Sequence, residues 1–399
     1  MVSLIIVTVA GAGLFFWAYH PPERQKESWQ AEILEFSEEN PTPEEEPEGG
    51  LEEKQKEEQS ADEGDREKQS AEAEDKGQPS KEGNYQPEGE SRESVLVFAG
   101  DIYLSPYVLD RYNSGGIQEV LSENLLSEMI NADITMANEE FPFSVRGEQA
   151  PDKQFTFRVE PSYVKVLKEM GIDVVSLANN HALDYGKDAL TDTFAALDEA
   201  KIAYVGAGQD KERAAQPFFA QAGQKTFGFL GASRVIPVPE WNIENRQPGM
   251  LCTYDSVALC EAVRRAKEQC DFLTVYVHWG IEREHTPEEY QRQLAKAYID
   301  AGADLVVGAH PHVLQGIEYY NGRPIVYSLG NYIFNQEIAD TVLLKVTVSQ
   351  ENQTKLQLIP AYAAGAKTQE KSGEQVSELY RFLEEISYEI QIGEDGTVH

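Results

Sequence analysis

Cysteine is scarce in this chain: Cys252, Cys260 and Cys270 are the only three among 399 residues. Their number is odd and no two stand in a CxxC pair, which argues against a disulfide framework and against a thiolate zinc site. They are read as small buried residues around one helix, with a single Cys252–Cys260 or Cys260–Cys270 bridge as the alternative. Positive charge is short too. Against 69 Asp and Glu stand 34 Lys and Arg, a net charge of −35, and no basic stretch occurs. Binding nucleic acid needs a cationic footprint to neutralise phosphates, so no nucleic-acid partner is expected. The acidity serves solubility, or keeps the chain off an anionic polymer. Apolar residues are nearly missing from Pro21 to Ser94, which is rich in Glu, Gln, Ser, Pro, Gly and Lys. Such a segment buries too little surface to offset its ordering entropy, and residues 20–93 are read as a disordered acidic linker.

The first residues are the opposite. Val2 to Tyr19, VSLIIVTVAGAGLFFWAY, carries no charge over a length that suffices to cross a bilayer, with Trp17 and Tyr19 placed as interfacial aromatics. A cleaved signal peptide is the competing reading, supported by the small residues Ala10, Gly11 and Ala12. These come before the most apolar part, LFFW, which favours an uncleaved anchor. No Lys or Arg precedes the span, while Arg24 and Lys26 follow it, so charge alone does not place the domain outside.

Residues 94–399 then make one substantial domain without internal repeats. VLVFAGD at Val95 opens it as a strand ending in a carboxylate. A helix around Ile117–Ile130 follows, then the apolar run ITMA leading into Asn138, Glu139 and Glu140. A helix at Ser162–Met170 stops at Gly171, and the strand VVSLA runs into Asn179, Asn180 and His181. Leu190, Phe194 and Leu197 mark another helix. IAYVGAG, TFGFLGA, FLTVYV and ADLVVGA read as further strands, the last two buried on both faces. Between those two, Thr286 as N-cap, Pro287 at the first position, Glu289 closing a capping box and Gly302 as stop predict a helix. TVLLKVTVS and KLQLIPAYA predict an antiparallel hairpin. A helix at Gln375–Ser387 and a strand YEIQI end the chain. Alternating strands and helices define an α/β layered sandwich of mixed β-sheets flanked by helices.

In such sheets ligands gather at the carboxyl ends of strands. Collecting the polar residues there gives Asp101, Glu140, Asn180, His181, His278, His310 and His312, four of the chain's seven histidines. Singly each has an ordinary structural reading, a satisfied histidine or a turn aspartate. Together they are the donors that divalent metals need, imidazole with carboxylate and amide oxygen. In the HPH segment, alternate side chains of an extended backbone would turn both rings into one pocket, with Pro311 stiffening the turn. A centre of this kind, with two metals, clamps an oxyanion and lowers the pKa of a bound water.

FAGDIYL, the NEE of MANEEF, LANNHALDYG, HWGIE, GADLVVGAHPHVLQ and YSLGNYIF, in this order, resemble the motif set of the CapA family of poly-γ-glutamate capsule synthesis proteins. The resemblance runs from about Val95 to the C-terminus. That family's fold is similar to calcineurin-like metallophosphatases. The resemblance implies that Asp101, Glu140, Asn180, His278, His310 and His312 hold one or two divalent ions (zinc, manganese or iron) and that His181 acts as acid or transition-state stabiliser. It also implies that Asn138, Asn179, Glu282 and Asn331 line the substrate cleft. The pattern departs in one place: where a metallophosphatase has DxH, this chain has Tyr103 in DIY.

The expectation is therefore a single-pass, membrane-anchored protein whose extracytoplasmic domain serves synthesis or export of an anionic polymer such as poly-γ-glutamate. Its partners would be the cell membrane, that polymer and other synthase subunits, and its site would be of metal-dependent hydrolase type. A non-catalytic assembly or polymer-binding subunit is the alternative, favoured by Tyr103, and a general secreted phosphatase or phosphodiesterase is a third reading.

Overall fold

The computed structural model describes residues 92–245 and 247–399. The anchor expected at 2–19, and the linker expected at 20–93 up to residue 91, lie outside the described residues. Among the described residues, no helix is long and apolar enough to cross a membrane.

Two mixed sheets form the centre. Strands β1 (Ser94–Ile102), β2 (Ile134–Glu139), β3 (Val174–Ser176) and β4 (Ala203–Val205) run parallel to one another. Two short strands, β5 (Ala207–Gly208) and β8 (Gly249–Met250), pair separately. The second sheet holds β6 (Phe218–Ala222), β7 (Lys225–Ser233), β9 (Phe272–His278) and β10 (Leu305–Ala309), followed by β11 (Leu314–Tyr320) and β12 (Arg323–Leu329). Here β7, β9, β10 and β12 are parallel, with β6 and β11 antiparallel on the two edges. The chain then returns to the first sheet through β13 (Asn331–Ile333), β14 (Ile338–Val348), β15 (Thr354–Ala364) and β16 (Lys367–Glu370). The first sheet thus has the order β16-β15-β14-β1-β2-β3-β4, with β13 also on β1.

Side-chain alternation builds four layers from these sheets. Leu96, Phe98 and Met136 of the first sheet meet Phe229, Phe272 and Tyr276 of the second in a core between the sheets. Val97, Ala99 and Ala137 face the other way, onto helices carrying Val108, Leu125, Leu167 and Phe194. Val275, Val277 and Val306 likewise pack under Leu259, Val263, Tyr298 and Ile299. Strands covered on both faces need uninterrupted apolar runs, and VLVFA, FLTVYV and LVVGA are such runs. Hydrogen bonds between the sheets supplement this packing: the Tyr276 hydroxyl donates to Ala99 O at 2.8 Å and the Ser94 hydroxyl to Ala222 O at 3.1 Å.

Several local expectations need correction. The Glu289–Ala301 helix is capped by Glu288, not Thr286, and its capping box joins Glu288 to Gln291 rather than using Glu289. Gln291 Oε1 takes the Glu288 N–H at 2.8 Å, so Pro287 stays outside the first turn. The helix expected over Ile117–Ile130 splits into a 3₁₀ turn at Ile117–Glu119 and a helix at Glu123–Asn131, because the Ser122 hydroxyl caps the second start. YEIQI forms only isolated bridges at Tyr388 and Ile392. All three cysteines are free, which removes the disulfide alternative.

Near its carboxyl end β1 changes neighbour, pairing with β14 through Phe98 and with β13 from Asp101. The switch brings the chain at Gly100 against Gly330, where an added Cβ would lie 1.9 Å from the Gly330 carbonyl oxygen. Gly100→Ala is expected to lower stability by about 1–3 kcal/mol or more, since backbone rather than a movable side chain must give way. Urea denaturation checks this, and an unchanged midpoint would mean that the β1–β13 contact is looser than described.

Candidate metal centre

Strand direction alone brings the polar residues together. β1, β2 and β3 point their carboxyl ends to the same rim as β9 and β10, so Asp101, Glu140 and Asn180 from the first sheet face His278 and His310 from the second. Glu140 Oε1 is at the centre: His278 Nε2 lies 3.7 Å away, and His181 Nε2 and His312 Nε2 each lie 3.9 Å away. His312 Nδ1 stands 3.6 Å from Asp101 Oδ2. Among the described residues, three groups satisfy metal-ligand spacing: Glu140 with His278 and His310, Asp101 with Glu140 and His312, and Glu282 with His310 and His312.

His310 and His312 both reach the site, though not by extended alternation. Their φ values are +97° and +58°, so the segment is a left-handed turn rather than a strand. The His310 N–H donates to Asp101 Oδ2 at 3.2 Å, which holds the turn against β1. Non-glycine residues adopt such backbone only at a cost, of order 1–3 kcal/mol each.

The asparagines divide by depth. Asn138 and Asn179 are fully buried and hold neighbouring site residues. Asn138 Nδ2 donates to Asp101 Oδ1 at 2.7 Å and approaches His278 Nδ1 at 3.4 Å. Asn179 Nδ2 donates to the Glu139 carbonyl at 2.7 Å, while its oxygen takes the His181 N–H at 3.0 Å. Asn180 Oδ1 meets His278 Nε2 at 2.8 Å. Asn331 Oδ1 accepts from His312 Nδ1 at 2.8 Å and so turns Nε2 of that ring inward. Glu282 is exposed at the mouth.

His181 has a setting that the strand pattern did not disclose. Its Nδ1–H donates to Asp184 Oδ2 at 2.6 Å, and Lys153 Nζ bonds Asp184 and the Asn180 carbonyl while standing 3.0 Å from the same Nδ1. The Phe157 ring stacks on the imidazole at 4.0 Å, and Tyr103 stacks on Phe157 at 4.0 Å. Tyr103 is therefore the far end of a three-ring stack, with its hydroxyl in the field of Tyr185 and Asp184. Asp184 was readable as the third residue after His181. Lys153 and Phe157 lie in an irregular segment where no periodicity marks them.

Electrostatics show what the cluster lacks. Burial pushes Asp101 above its ordinary range, and burial together with the Asp101 charge holds Glu140 well above it. Both Glu140 oxygens are buried without a hydrogen-bond partner, as is His310 Nδ1. Burial keeps His278 and His310 neutral, with neighbouring histidines adding to the effect. Uncompensated carboxylates among neutral imidazoles and an amide oxygen are a donor set suited to a divalent cation. The residues present thus fit such an ion, with Asp101, Glu140, Asn180, His278, His310 and His312 placed to hold it.

Comparisons with known proteins agree on a family. Residues 95–336 match the bacterial capsule synthesis protein PGA_cap. The capsule biosynthesis protein CapA of Bacillus anthracis is 32% identical over 281 residues, 68% of this chain and 68% of that protein. The PGA biosynthesis protein CapA of Bacillus subtilis (strain 168) is 32% identical over 269 residues, 66% of this chain and 70% of that protein. A probable polyglutamine synthesis accessory protein of Mycobacterium tuberculosis is 30% identical over 275 residues, 64% of this chain and 72% of its own. Among solved structures, a phosphatase from Mycoplasma pneumoniae superposes with a TM-score of 0.46 at 12% identity, covering 74% of this chain and 100% of its own. Nothing about activity follows from a likeness that loose.

The histidines give the metal-free protein a defined acid sensitivity. Burial lowers the His181 pKa to about 4, whereas unfolded it protonates near 6.5. Between those values the unfolded chain binds the extra proton, so this contribution to stability is intact above about pH 6.5 and is lost as pH falls toward 4. In chelator, His181→Gln is expected to flatten the stability–pH slope in that window by up to one proton, about 1.4 kcal/mol per pH unit. Denaturation curves at stepped pH check it, and parallel curves for wild type and variant would show that His181 is not held neutral.

Proposed function

This chain belongs to the PGA_cap family of bacterial capsule synthesis proteins, and on that footing we propose that it is a CapA-like accessory protein of poly-γ-glutamate synthesis with a metal-dependent hydrolase-type site. The observation that carries the site is the orphaned Glu140 carboxylate, buried within 3.9 Å of three imidazole nitrogens. In this reading Glu140 with Asn180, His278 and His310, and Glu140 with Asp101 and His312, are the donor groups that would hold one or two divalent ions on a metallophosphatase-like scaffold. Tyr103 brings no imidazole to the group around Asp101, which would have fewer donors and hold an ion less tightly. A bound divalent ion would supply Lewis acidity toward a phosphoryl or carbonyl oxygen.

The chain's own residues do the rest. His181, with Nδ1–H committed to Asp184, presents the lone pair of Nε2 to the cleft, where it can accept a proton from an attacking water and then, as the imidazolium, pass it to a leaving oxygen or amine. Asp184 fixes the tautomer and Lys153 neutralises Asp184. The Tyr103 and Phe157 rings wall the site and exclude water from one side of the imidazole. Asn331 orients His312, and Glu282 stands at the entrance. We further propose that residues 2–19 anchor the chain and residues 20–93 act as a stalk, holding the domain outside the cell beside the polymer and its synthase. The rival reading, a polymer-binding subunit without catalysis, draws on the ring stack that replaces a ligand at Tyr103.

Metal analysis of the full chain, purified without chelator, separates the two. One tightly held divalent ion and a second, exchangeable one are expected, with chelator lowering the melting temperature. A ligand at about 100 times its Kd stabilises by about 2.7 kcal/mol, well within detection. Glu140→Gln should lose both ions, and the His310→Ala/His312→Ala pair should bind neither tightly. Absence of metal under every loading condition would remove the hydrolase reading and leave the binding subunit.

A further inference from the structure

The loop that follows β9 brings a third carboxylate to the imidazoles. His278 ends the strand inside the site, and Trp279 turns the other way, its indole N–H donating to Tyr327 O at 3.0 Å. At Gly280, with φ +94°, the chain bends so closely that a Cβ would meet Gln291 and Pro311 at 3.1 Å. The next residues are exposed, yet the loop is fastened on both sides of Glu282. The Gly280 N–H donates to the Tyr290 hydroxyl at 2.7 Å, the Arg283 N–H to Pro311 O at 2.8 Å, and Gln315 Nε2 to Glu284 O at 2.8 Å. Arg283 has φ +65°, a backbone that a non-glycine residue keeps only where its surroundings impose it. The Arg283–Pro311 bond lays the loop on the turn that carries His310 and His312.

Held in this way, Glu282 points inward: its carboxylate, His310 and His312 each offer an atom within 4.8 Å of the other two. His310 Nδ1 is buried and has no hydrogen-bond partner. His312 belongs also to the group around Asp101, so Glu282 reaches, through that ring, the donors that Tyr103 leaves short. Beyond burial and the Asp101 charge, the charge of Glu282 helps to hold Glu140 above its ordinary range. A third carboxylate fixed beside two buried ones is repelled unless a cation stands among them. Its exposure sets it apart, because Asp101, Glu140, His278 and His310 are all buried. A buried carboxylate that loses its cation is left uncompensated, whereas an exposed one is taken up by water. Glu282 is thus the donor that can leave at least cost.

We propose that Glu282 is an additional, solvent-side ligand for the ion at His312, and that a pendant carboxylate of the incoming polymer takes its place. One carboxylate departs as another arrives, so the charge of the site is unchanged and no proton has to move. The identity of the incoming group rests on the proposed function, whereas the ligand assignment rests on the fastened loop and the donors that converge on it.

Calorimetric titration of the chelator-stripped full chain with zinc and with manganese(II), for wild type, Glu282→Gln and Glu284→Gln, tests the assignment. Glu284 is also exposed, and its variant controls for the loss of one surface charge. Glu282→Gln should weaken the second ion by about 10-fold or more, at least the loss that follows removal of a group merely supporting a ligand. The first ion and the melting temperature in chelator should not change, and Glu284→Gln should match wild type throughout. Added acetate should restore the second ion to Glu282→Gln. At saturating ion that variant should bind a γ-linked glutamate oligomer several-fold more tightly than wild type, since no resident carboxylate competes. Equal ion affinities in wild type and Glu282→Gln, or an equal loss in Glu284→Gln, would overturn the ligand assignment and leave the metal centre standing. A weakened second ion without tighter oligomer binding would overturn the exchange and uphold the ligand. A wild type that holds no metal would overturn the proposed function and this assignment together.

Discussion

Two carboxylates in a dry pocket repel each other, and burial penalises the charge on each. Asp101 and Glu140 meet in that way at the ends of neighbouring parallel strands, with no arginine or lysine bonded to either. Such a pair persists only if a cation or protons accompany it. The neutral imidazoles on the facing sheet make sense as the other half of the same requirement: they add lone pairs without adding charge. Asn138, which donates to Asp101 and reaches toward His278, ties the two halves together at the base of the cluster.

The frame that holds these groups is stiff where it matters. Asp101 stands two residues beyond Ala99, and His278 two residues beyond Tyr276, whose hydroxyl bonds Ala99 across the gap between sheets. Each ligand strand is thus pinned to its counterpart one side-chain step below the site, beneath a layer of buried aromatics. Around His181 the frame is of another kind, a surface excursion fastened by Lys153 and by the Phe157 N–H, both bonded to Asp184. The first arrangement fixes ligands to the sheets, while the second fixes a proton-handling group to a loop.

Much of this is legible in the sequence itself. Apolar runs that end abruptly in Asp101, His278 and His310 located the strand ends, and shared strand direction then gathered them. What local pattern did not convey was depth. Asn138 and Asn179 have the same polar character as Asn180, and only the packing of β2 and β3 buries them below it. Nor did it convey the turn at His310 and His312, which a hydrogen bond from β1 helps to set. Thr286 and Glu288 are both acceptable helix caps, and the side chain of Gln291 settled the choice. Lys153 and Phe157 sit in a stretch with neither period nor motif, so their approach to His181 is a product of tertiary contact.

The left-handed backbone at His310 and His312 sets a cost for carrying imidazole there. Glycine would relieve the strain at both positions, and asparagine would relieve part of it at the second. The two rings thus stand where local backbone preference speaks against them, and the surrounding fold, not the residues' own propensity, keeps the turn in shape.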